Sequence, residues 1–320
     1  MNAIVINRYG SPEVLEQRKI STPLVEPGEV LVKVAASSIN PIDFKARQGA
    51  LKLVLRKGFP LVLGHDLAGE VVGLGSGSTL FKIGQQVYGM NSFPRMGAYA
   101  GYAAVPEKFL APAPEKLSLE NAAAVPLAAL TALQGLRDFG KLRKNQEVLI
   151  NGASGGVGSF AVQIAKAMGA TVTGVCSGKN IETVRSLGAD AVIDYKKQQF
   201  EELPTRYDLV FDAVGKSSFK RSRKVLKNKG IYVSTLPSPA NFLWTGLSVL
   251  TPRSAKTMWV KANTQDLEIL KGYIETNSLK PLIEKTYSYQ ELAEAMRHAE
   301  SERTIGKLVI KMNFPDGDQG

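Results

Sequence analysis

Apolar residues along this chain follow two rhythms. From residue 3 to about residue 109 they come in short, often alternating runs separated by turn residues. Segments 3–6, 29–35, 68–73, 86–90 and 101–105 read as strands, with turns at Pro27-Gly28 and Gly75-Ser76-Gly77. That spacing predicts a compact antiparallel β-rich domain or partial barrel. From residue 118 the rhythm lengthens. Segment 118–139, rich in Ala and Leu, predicts a long helical region with a break near Pro126. Strands at 146–151, 171–176, 191–194, 209–212 and 231–235 then alternate with helices, among them 181–187, closed by Gly188, and 218–226. Such alternation implies an α/β fold with a doubly wound parallel sheet. The C-terminal part reads as helix 264–276, strand 283–287, helix 289–299 and strand 307–311, with a disordered tail from residue 314.

Composition narrows the class without naming it. The chain has 320 residues, room for two domains, and its 44% hydrophobic and 22% charged content is that of a globular protein. The first residues lack the basic-then-apolar order of a secretory leader, and the most apolar run, 241–250, is too short to span a bilayer. A single cysteine, Cys176, excludes an intrachain disulfide and suits a reducing compartment, so a cytoplasmic location is expected. The net charge of +11 favours anionic ligands or surfaces. A basic segment runs from Lys216 to Lys229, but no RNA-binding motif or aromatic series accompanies it. It reads as a solvated face, with no nucleic-acid partner expected. The adjoining run 241–250, with Phe242, Leu243 and Trp244, leaves burial, a substrate lid, a subunit contact and peripheral membrane contact open.

Segment 145–166 carries the chemistry. Val148, Leu149 and Ile150 form a short buried strand, Gly152 to Gly158 supply small residues, and Phe160, Ile164 and Met168 share one helical face. Ala153, Gly155 and Gly158 fall on the G-x-G-x-x-G positions, with Ala in first place. Small residues permit a tight turn and close approach to a pyrophosphate, beside the free N–H groups of a helix start. Ala153, Ser154, Gly155, Gly156, Val157 and Gly158 are therefore cofactor-binding candidates. A protein that holds NAD usually places Asp or Glu at the end of the next strand, on the ribose hydroxyls. Here that strand ends in Ser177-Gly178-Lys179-Asn180. No acid at that end repels a 2′-phosphate and Lys179 can neutralise one, which predicts NADPH over NADH and adds Ser177 and Lys179. Ligands lie across C-terminal strand ends, which adds Val214, Ser234, Thr235 and Leu236.

Two earlier clusters make the pattern specific: Ser-Ser-Ile-Asn-Pro-Ile-Asp-Phe-Lys at 37–45 and Gly-His-Asp-Leu-Ala-Gly-Glu-Val at 64–71. With segment 145–166 they resemble the medium-chain dehydrogenase/reductase superfamily over nearly the whole chain. Segment 145–166 is similar in every position to the signature of its quinone oxidoreductase branch. Within that branch the chain looks most like the group of the chloroplast-envelope quinone oxidoreductase homologue and the reticulon-interacting mitochondrial protein. The resemblance implies a GroES-like catalytic domain at 1–121, completed by 264–320, and a Rossmann dinucleotide domain at 122–263. It places Thr131 near the nicotinamide, Tyr195 beside the 2′-phosphate, the loops of Val214 and Ser234–Leu236 on the nicotinamide side, and Lys307 in the closing strand among the cofactor-binding candidates. It also implies a homodimer.

Zinc-dependent members bind their metal through Cys, His and Cys. In this chain Asn40 stands at the first position, His65 at the second, and the region of the third is Leu127-Ala128-Ala129. His65 and Asp66 supply two donors at most, fewer than a zinc site needs. No metal is expected, and His65 reads as an interior hydrogen-bonded histidine. Without a Lewis acid the remaining chemistry is hydride transfer to an acceptor activated by its own electronics, a quinone or an α,β-unsaturated carbonyl. Asn40 is the candidate to orient acceptor or cofactor; Asp43 and Thr131 complete the catalytic candidates, with Asp43 bracing the Asn40 loop. Two alternatives stand beside this. An enoyl-thioester reductase would often carry a tyrosine donor shortly after the Asn-x-x-Asp motif, and none occurs between Phe44 and Leu63. An NADPH-binding protein could act mainly through membrane or partner association.

Overall fold

The N-terminal rhythm becomes two sheets. In the computed structural model, which describes residues 1–55, 58–248 and 251–315, β1 (Asn2–Ile6) pairs antiparallel with β2 (Leu15–Lys19) and with a short strand further on. β3 (Glu29–Ser38) buries Val30, Val32, Val34 and Ala36, the every-second-residue pattern of a strand with one face on a core. Helix α1 (Pro41–Arg47) follows, with Asn40 as N-cap and Pro at its first position. Its last residue, Arg47, is fully buried, paired with Glu300 and donating to the Gly10 carbonyl. Then come β4 (Leu61–Val62), β5 (Asp66–Leu74), β6 (Gln86–Met90), β7 (Tyr102–Pro106) and β8 (Leu110–Pro112).

The helical region expected at 118–139 is present and broken at Pro126, into helix α2 (Leu119–Ala122) and helix α3 (Pro126–Gln134). Proline lacks an N–H and keeps the preceding residue out of helical conformation, so Pro126 starts a helix rather than continuing one. The second unit then alternates. β9 (Glu147–Asn151), α4 (Gly156–Ala167), β10 (Thr171–Cys176), α5 (Ile181–Ser186), β11 (Ala191–Asp194), β12 (Tyr207–Asp212), α6 (Phe219–Ser222), β13 (Leu226–Ser234), α7 (Pro239–Leu247) and β14 (Ser254–Thr257) follow in turn. All six strands are parallel, in the order β11-β10-β9-β12-β13-β14, the arrangement of dinucleotide-binding sheets. The helix expected at 218–226 stops at Ser222, because Leu226 joins the sheet beside Tyr207. Of the apolar run 241–250, the structure describes residues 241–248, and the tail is described as far as residue 315.

Helix α8 (Thr264–Glu275), β15 (Ile283–Ser288), α9 (Leu292–Glu300) and β16 (Lys307–Lys311) end the chain. β16 pairs with β3, closing a seven-stranded sheet in the order β15-β16-β3-β5-β6-β8, with β7 also on β3. Unit 1 thus comprises Met1–Leu127, Lys261–Glu275 and the chain from Ile283 onward; unit 2 comprises Ala128–Val260 and Thr276–Leu282. Within unit 1, Tyr88 donates to the Leu267 carbonyl at 2.6 Å and Thr264 to that of Leu110 at 2.8 Å, fixing α8 to the sheet. Among the described residues no helix is long and apolar enough to cross a membrane.

Candidate active site

In unit 2 the chain reverses between β9 and α4. The left-handed residue of this turn is Gly152, at φ +82°, one place before the fingerprint position held by Ala153. A Cβ on Gly152 would lie 2.4 Å from Val214 Cγ1, so only glycine lets the next strand-end loop close against the turn. Ala153 is buried, close against Gly174 of β10. Gly158 provides the close helix–turn approach: a Cβ there would lie 2.0 Å from the Gly152 carbonyl oxygen. Gly155 differs, since a Cβ would meet nothing nearer than 3.5 Å. Nothing in the protein requires glycine there, whereas a ligand seated on the backbone would. Ser154, Gly155, Gly156 and Val157 keep part of their surface accessible. The first-turn N–H groups of α4 belong to Gly156, Val157 and Gly158. This cradle fits a pyrophosphate.

The next strand end holds more than its charge pattern reveals. Ser177 is buried, and Lys179 is exposed in a short turn of helix, Gly178–Asn180. Asn180, read from sequence only as a neutral neighbour, is 6% exposed and donates from Nδ2 to Ser154 Oγ at 3.0 Å. It ties the end of β10 to the glycine turn. Asp194 also enters here. β10 and β11 pair Cys176 with Asp194, and a Cβ on Gly178 would lie 2.6 Å from Asp194 Oδ2. Burial and the Asp194 charge push the Cys176 thiol up to about 11. An acid therefore does stand beside this strand end, supplied by the neighbouring strand. Tyr195 follows it, 57% exposed.

Asp212, at the end of β12, is the hub of the loops that carry Val214 and Ser234–Leu236. It is fully buried, and its carboxylate accepts from Asn151 Nδ2 at 3.0 Å, Gly215 N at 2.9 Å, Ser217 N at 3.1 Å and Tyr232 Oη at 2.8 Å. Its carbonyl accepts from Thr235 N at 3.1 Å. Burial, reinforced by the Asp212 charge, holds the Tyr232 hydroxyl well above its ordinary value. Asn241 Nδ2 donates to Ser234 Oγ at 3.1 Å and to the Leu236 carbonyl at 2.9 Å. Val214, Ser234, Thr235 and Leu236 are thus brought together with the glycine turn at one end of the sheet. Sequence reasoning missed Asp212, whose only signal was an acid closing an apolar strand.

Unit 1 gathers a second set. Asn40 is 2% exposed; its Nδ2 donates to Asp66 Oδ2 at 2.8 Å, and its Oδ1 accepts from Lys307 Nζ at 2.6 Å. Lys307 also donates to the Ile39 carbonyl and lies 3.7 Å from Asp66 Oδ2. Burial pulls its ammonium below the ordinary lysine value, against the raising effect of Asp66 and Asp43. Asp66 further accepts from Ser38 Oγ at 2.6 Å and Leu127 N at 2.8 Å. Asp43 accepts the Asn40 N–H at 2.9 Å and faces His65 Nδ1 at 2.7 Å. His65 is fully buried, and its Nε2 has no hydrogen-bond partner among the described residues. Burial and the nearby Asp43 and Asp66 hold the Tyr99 hydroxyl well above its ordinary value. Asn40, Asp43 and Lys307 therefore form one cluster, joined by Asp66, weighed from sequence only as a zinc donor, and by Ser38 and Tyr99, which the sequence did not single out. Thr131 belongs to unit 2, 7% exposed in α3. Among the described residues no three His, Cys, Asp or Glu side chains are grouped to hold a metal. A cavity of about 660 Å³ elsewhere in unit 1, between Met1, Lys19, Glu70 and Met312, contains none of these residues.

The fold is shared with known proteins. Residues 26–115 match the alcohol dehydrogenase GroES-like domain family and residues 187–310 the zinc-binding dehydrogenase family. The chain is 36% identical to a 2-methylene-furan-3-one reductase of Solanum lycopersicum, across 97% of this chain and 79% of that one. Identity and coverage are the same for the chloroplastic NADPH-dependent alkenal/one oxidoreductase of Arabidopsis thaliana. The solved structure of the quinone oxidoreductase from Coxiella burnetii superposes with a TM-score of 0.90 at 33% identity, covering 97% of this chain and 99% of that one.

Proposed function

The chain belongs to the quinone oxidoreductase branch of the medium-chain dehydrogenase/reductase superfamily, and from that premise we propose that it is a zinc-independent reductase of quinones or of the C=C bond of α,β-unsaturated carbonyls. It is an NAD(P)H-dependent oxidoreductase, and its cofactor is NADPH. The turn from Gly152 to Gly158 would hold the pyrophosphate, Lys179 and Tyr195 the 2′-phosphate, and the loops on Asp212 the nicotinamide side. The cofactor supplies a hydride from nicotinamide C4.

One observation carries zinc independence. The Asp66 carboxylate, in the position beside His65, is already neutralised and filled by Lys307, Asn40, Ser38 and the Leu127 N–H. A buried carboxylate so engaged is committed to protein donors, and the only cysteine, Cys176, lies in the other unit. The family description speaks of zinc, but the donor set of this chain does not supply it. Asn40 and Asp43 then serve the reaction by holding the β3–α1 turn rigid. Without a metal, the acceptor must be electron-poor by itself. Hydride addition at the β-carbon of an enone leaves an enolate, whose α-carbon takes a proton from solvent; a quinone gains the same hydride and proton to become a hydroquinone. The names of the two plant relatives favour the enone. Thr131 is assigned to the nicotinamide surroundings, and the molecule to a homodimer, on family grounds; the cytoplasmic location rests on the single cysteine, which suits a reducing compartment.

The test is oxidation of NADPH, and of NADH as control, with 1,4-naphthoquinone and with a medium-chain enone, followed by product analysis. The expected result is saturated ketone from the enone with NADPH. Turnover of the quinone alone moves the function to quinone reduction, and turnover of neither, with NADPH bound, refutes the proposal.

A further inference from the structure

Helix α7 is built inside out. Apart from Trp244, its inward residues are polar. Asn241 bonds Ser234 and Leu236, Thr245 Oγ1 lies 3.2 Å from Thr257 Oγ1, and Ser248 Oγ accepts from Ala255 N at 2.8 Å. Its outward residues are apolar: Phe242 is 58% exposed, Leu243 60% and Leu247 46%. A helix on a sheet normally turns its apolar stripe to the core. Here hydrogen bonds to β13, its following loop and β14 hold the helix, and an apolar face is left in water.

The chain that carries that face is strongly basic. Between Asp212 and Asp266 the chain has no acidic residue and ten Lys or Arg, against a net charge of +11 for the whole molecule. Trp244 of α7 packs on Phe219 of α6 with ring centroids 5.6 Å apart, which sets the exposed Lys220, Arg223 and Lys224 beside the helix. Beyond its C-terminal end, exposed Lys229 donates its backbone N–H to the Pro252 carbonyl, and Arg253 Nε donates to Leu226 O. Some basic groups of the run are internally paired, as Lys227 is with Glu147 and Asp208.

We propose that α7 and its basic surroundings form a docking surface for an anionic lipid bilayer. Phe242, Leu243 and Leu247 enter the headgroup region, while the Lys and Arg side chains around them meet lipid phosphates. The charge argues against a second copy of this chain as occupant, since a self-complementary contact would bring two predominantly basic surfaces together. Apolar insertion plus basic attraction is the combination that gives reversible interfacial binding.

The test is flotation of the full-length protein with vesicles of phosphatidylcholine alone and of phosphatidylcholine containing about one third phosphatidylglycerol. Wild type should float with the anionic vesicles only. The double variant Phe242→Ser/Leu243→Ser should bind about tenfold more weakly or worse. Each of Lys220→Gln, Arg223→Gln and Lys224→Gln should weaken partitioning roughly fivefold, from the attraction of one basic residue to an anionic surface. All replaced side chains are exposed, so thermal stability and NADPH affinity should stay at wild-type values. Failure of wild type to float, or equal flotation with neutral vesicles, overturns the proposal. So does a double variant that floats normally but dissociates a dimer in sedimentation, or that only raises KM for the acceptor.

Discussion

At the residue scale, charge near the adenosine end is settled by neighbours in space. Lys179 is exposed and Asp194 approaches Gly178 from the adjoining strand. The two act in opposite senses on a 2′-phosphate. Asp194→Asn keeps an oxygen for the Lys196 N–H, now accepted at 3.0 Å, and removes the negative charge. It should raise the ratio of kcat/KM with NADPH to that with NADH, and Lys179→Ala should lower it, each roughly fivefold, the scale of a solvent-screened charge pair. Steady-state kinetics with both cofactors decide this. Asp194 was not legible as a site residue, because the ribose-binding acid is sought at the end of β10. Register, not sequence spacing, puts the end of β11 there.

At the element scale, the β9–α4 turn separates two demands on glycine. Gly158 is needed for packing and Gly155 only for an approaching ligand. Gly158→Ala should lower the melting temperature and abolish NADPH binding together, because its Cβ cannot coexist with the Gly152 carbonyl. Gly155→Ala should melt as wild type does, yet bind NADPH at least about tenfold more weakly, because the methyl group occupies the pyrophosphate approach. Paired melting and fluorescence titrations measure both. A Gly155→Ala protein with unchanged affinity would remove the turn from the cofactor site. The strand–glycine–helix order was readable because its signals are local. The reach of α6 and the existence of β14 were not. Val225 and Leu226 have helical spacing in sequence, but pairing with Tyr207 takes Leu226 into the sheet, and β14, Ser-Ala-Lys-Thr, has no strand alternation to read.

At the scale of the molecule, buried hydroxyls and one buried ammonium set the alkaline limit. Burial first, and then nearby carboxylates, raise Tyr88, Tyr99 and Tyr232 above the ordinary value of 10.0. The folded chain keeps these protons where the unfolded chain has released them, so their contribution is present below about pH 10 and is lost as pH rises further. Lys307 acts in reverse. Its folded value lies below 10.5, so stability rises with pH through that interval until the unfolded lysine is also neutral. The Tyr207 hydroxyl and the Cys176 thiol, both raised by burial, act in the same sense, and together these groups outweigh one lysine. Thermal unfolding across the alkaline range should show stability falling above about pH 10, by about 1.4 kcal/mol per pH unit for each tyrosine. Tyr88→Phe should make that fall shallower by one proton.

The sequence alone determined the α/β class, the nucleotide turn and the superfamily. Each rests on residues adjacent in the chain whose types are dictated locally: small residues at a tight turn, alternation along a strand, proline at a helix start. Tertiary structure decided what those residues do for one another. Asn40, Asp66 and Lys307 lie far apart in sequence, and only the pairing of β16 with β3 and of β3 with β5 brings an ammonium to a buried carboxylate. Asp212 gathers donors from β9, β13 and its own loop. The outward face of α7 was visible as an apolar run, but its orientation depended on hydrogen bonds from its polar side to β13, its following loop and β14. Burial and charge are sums over neighbours in space, and the order of residues specifies those neighbours only through the finished fold.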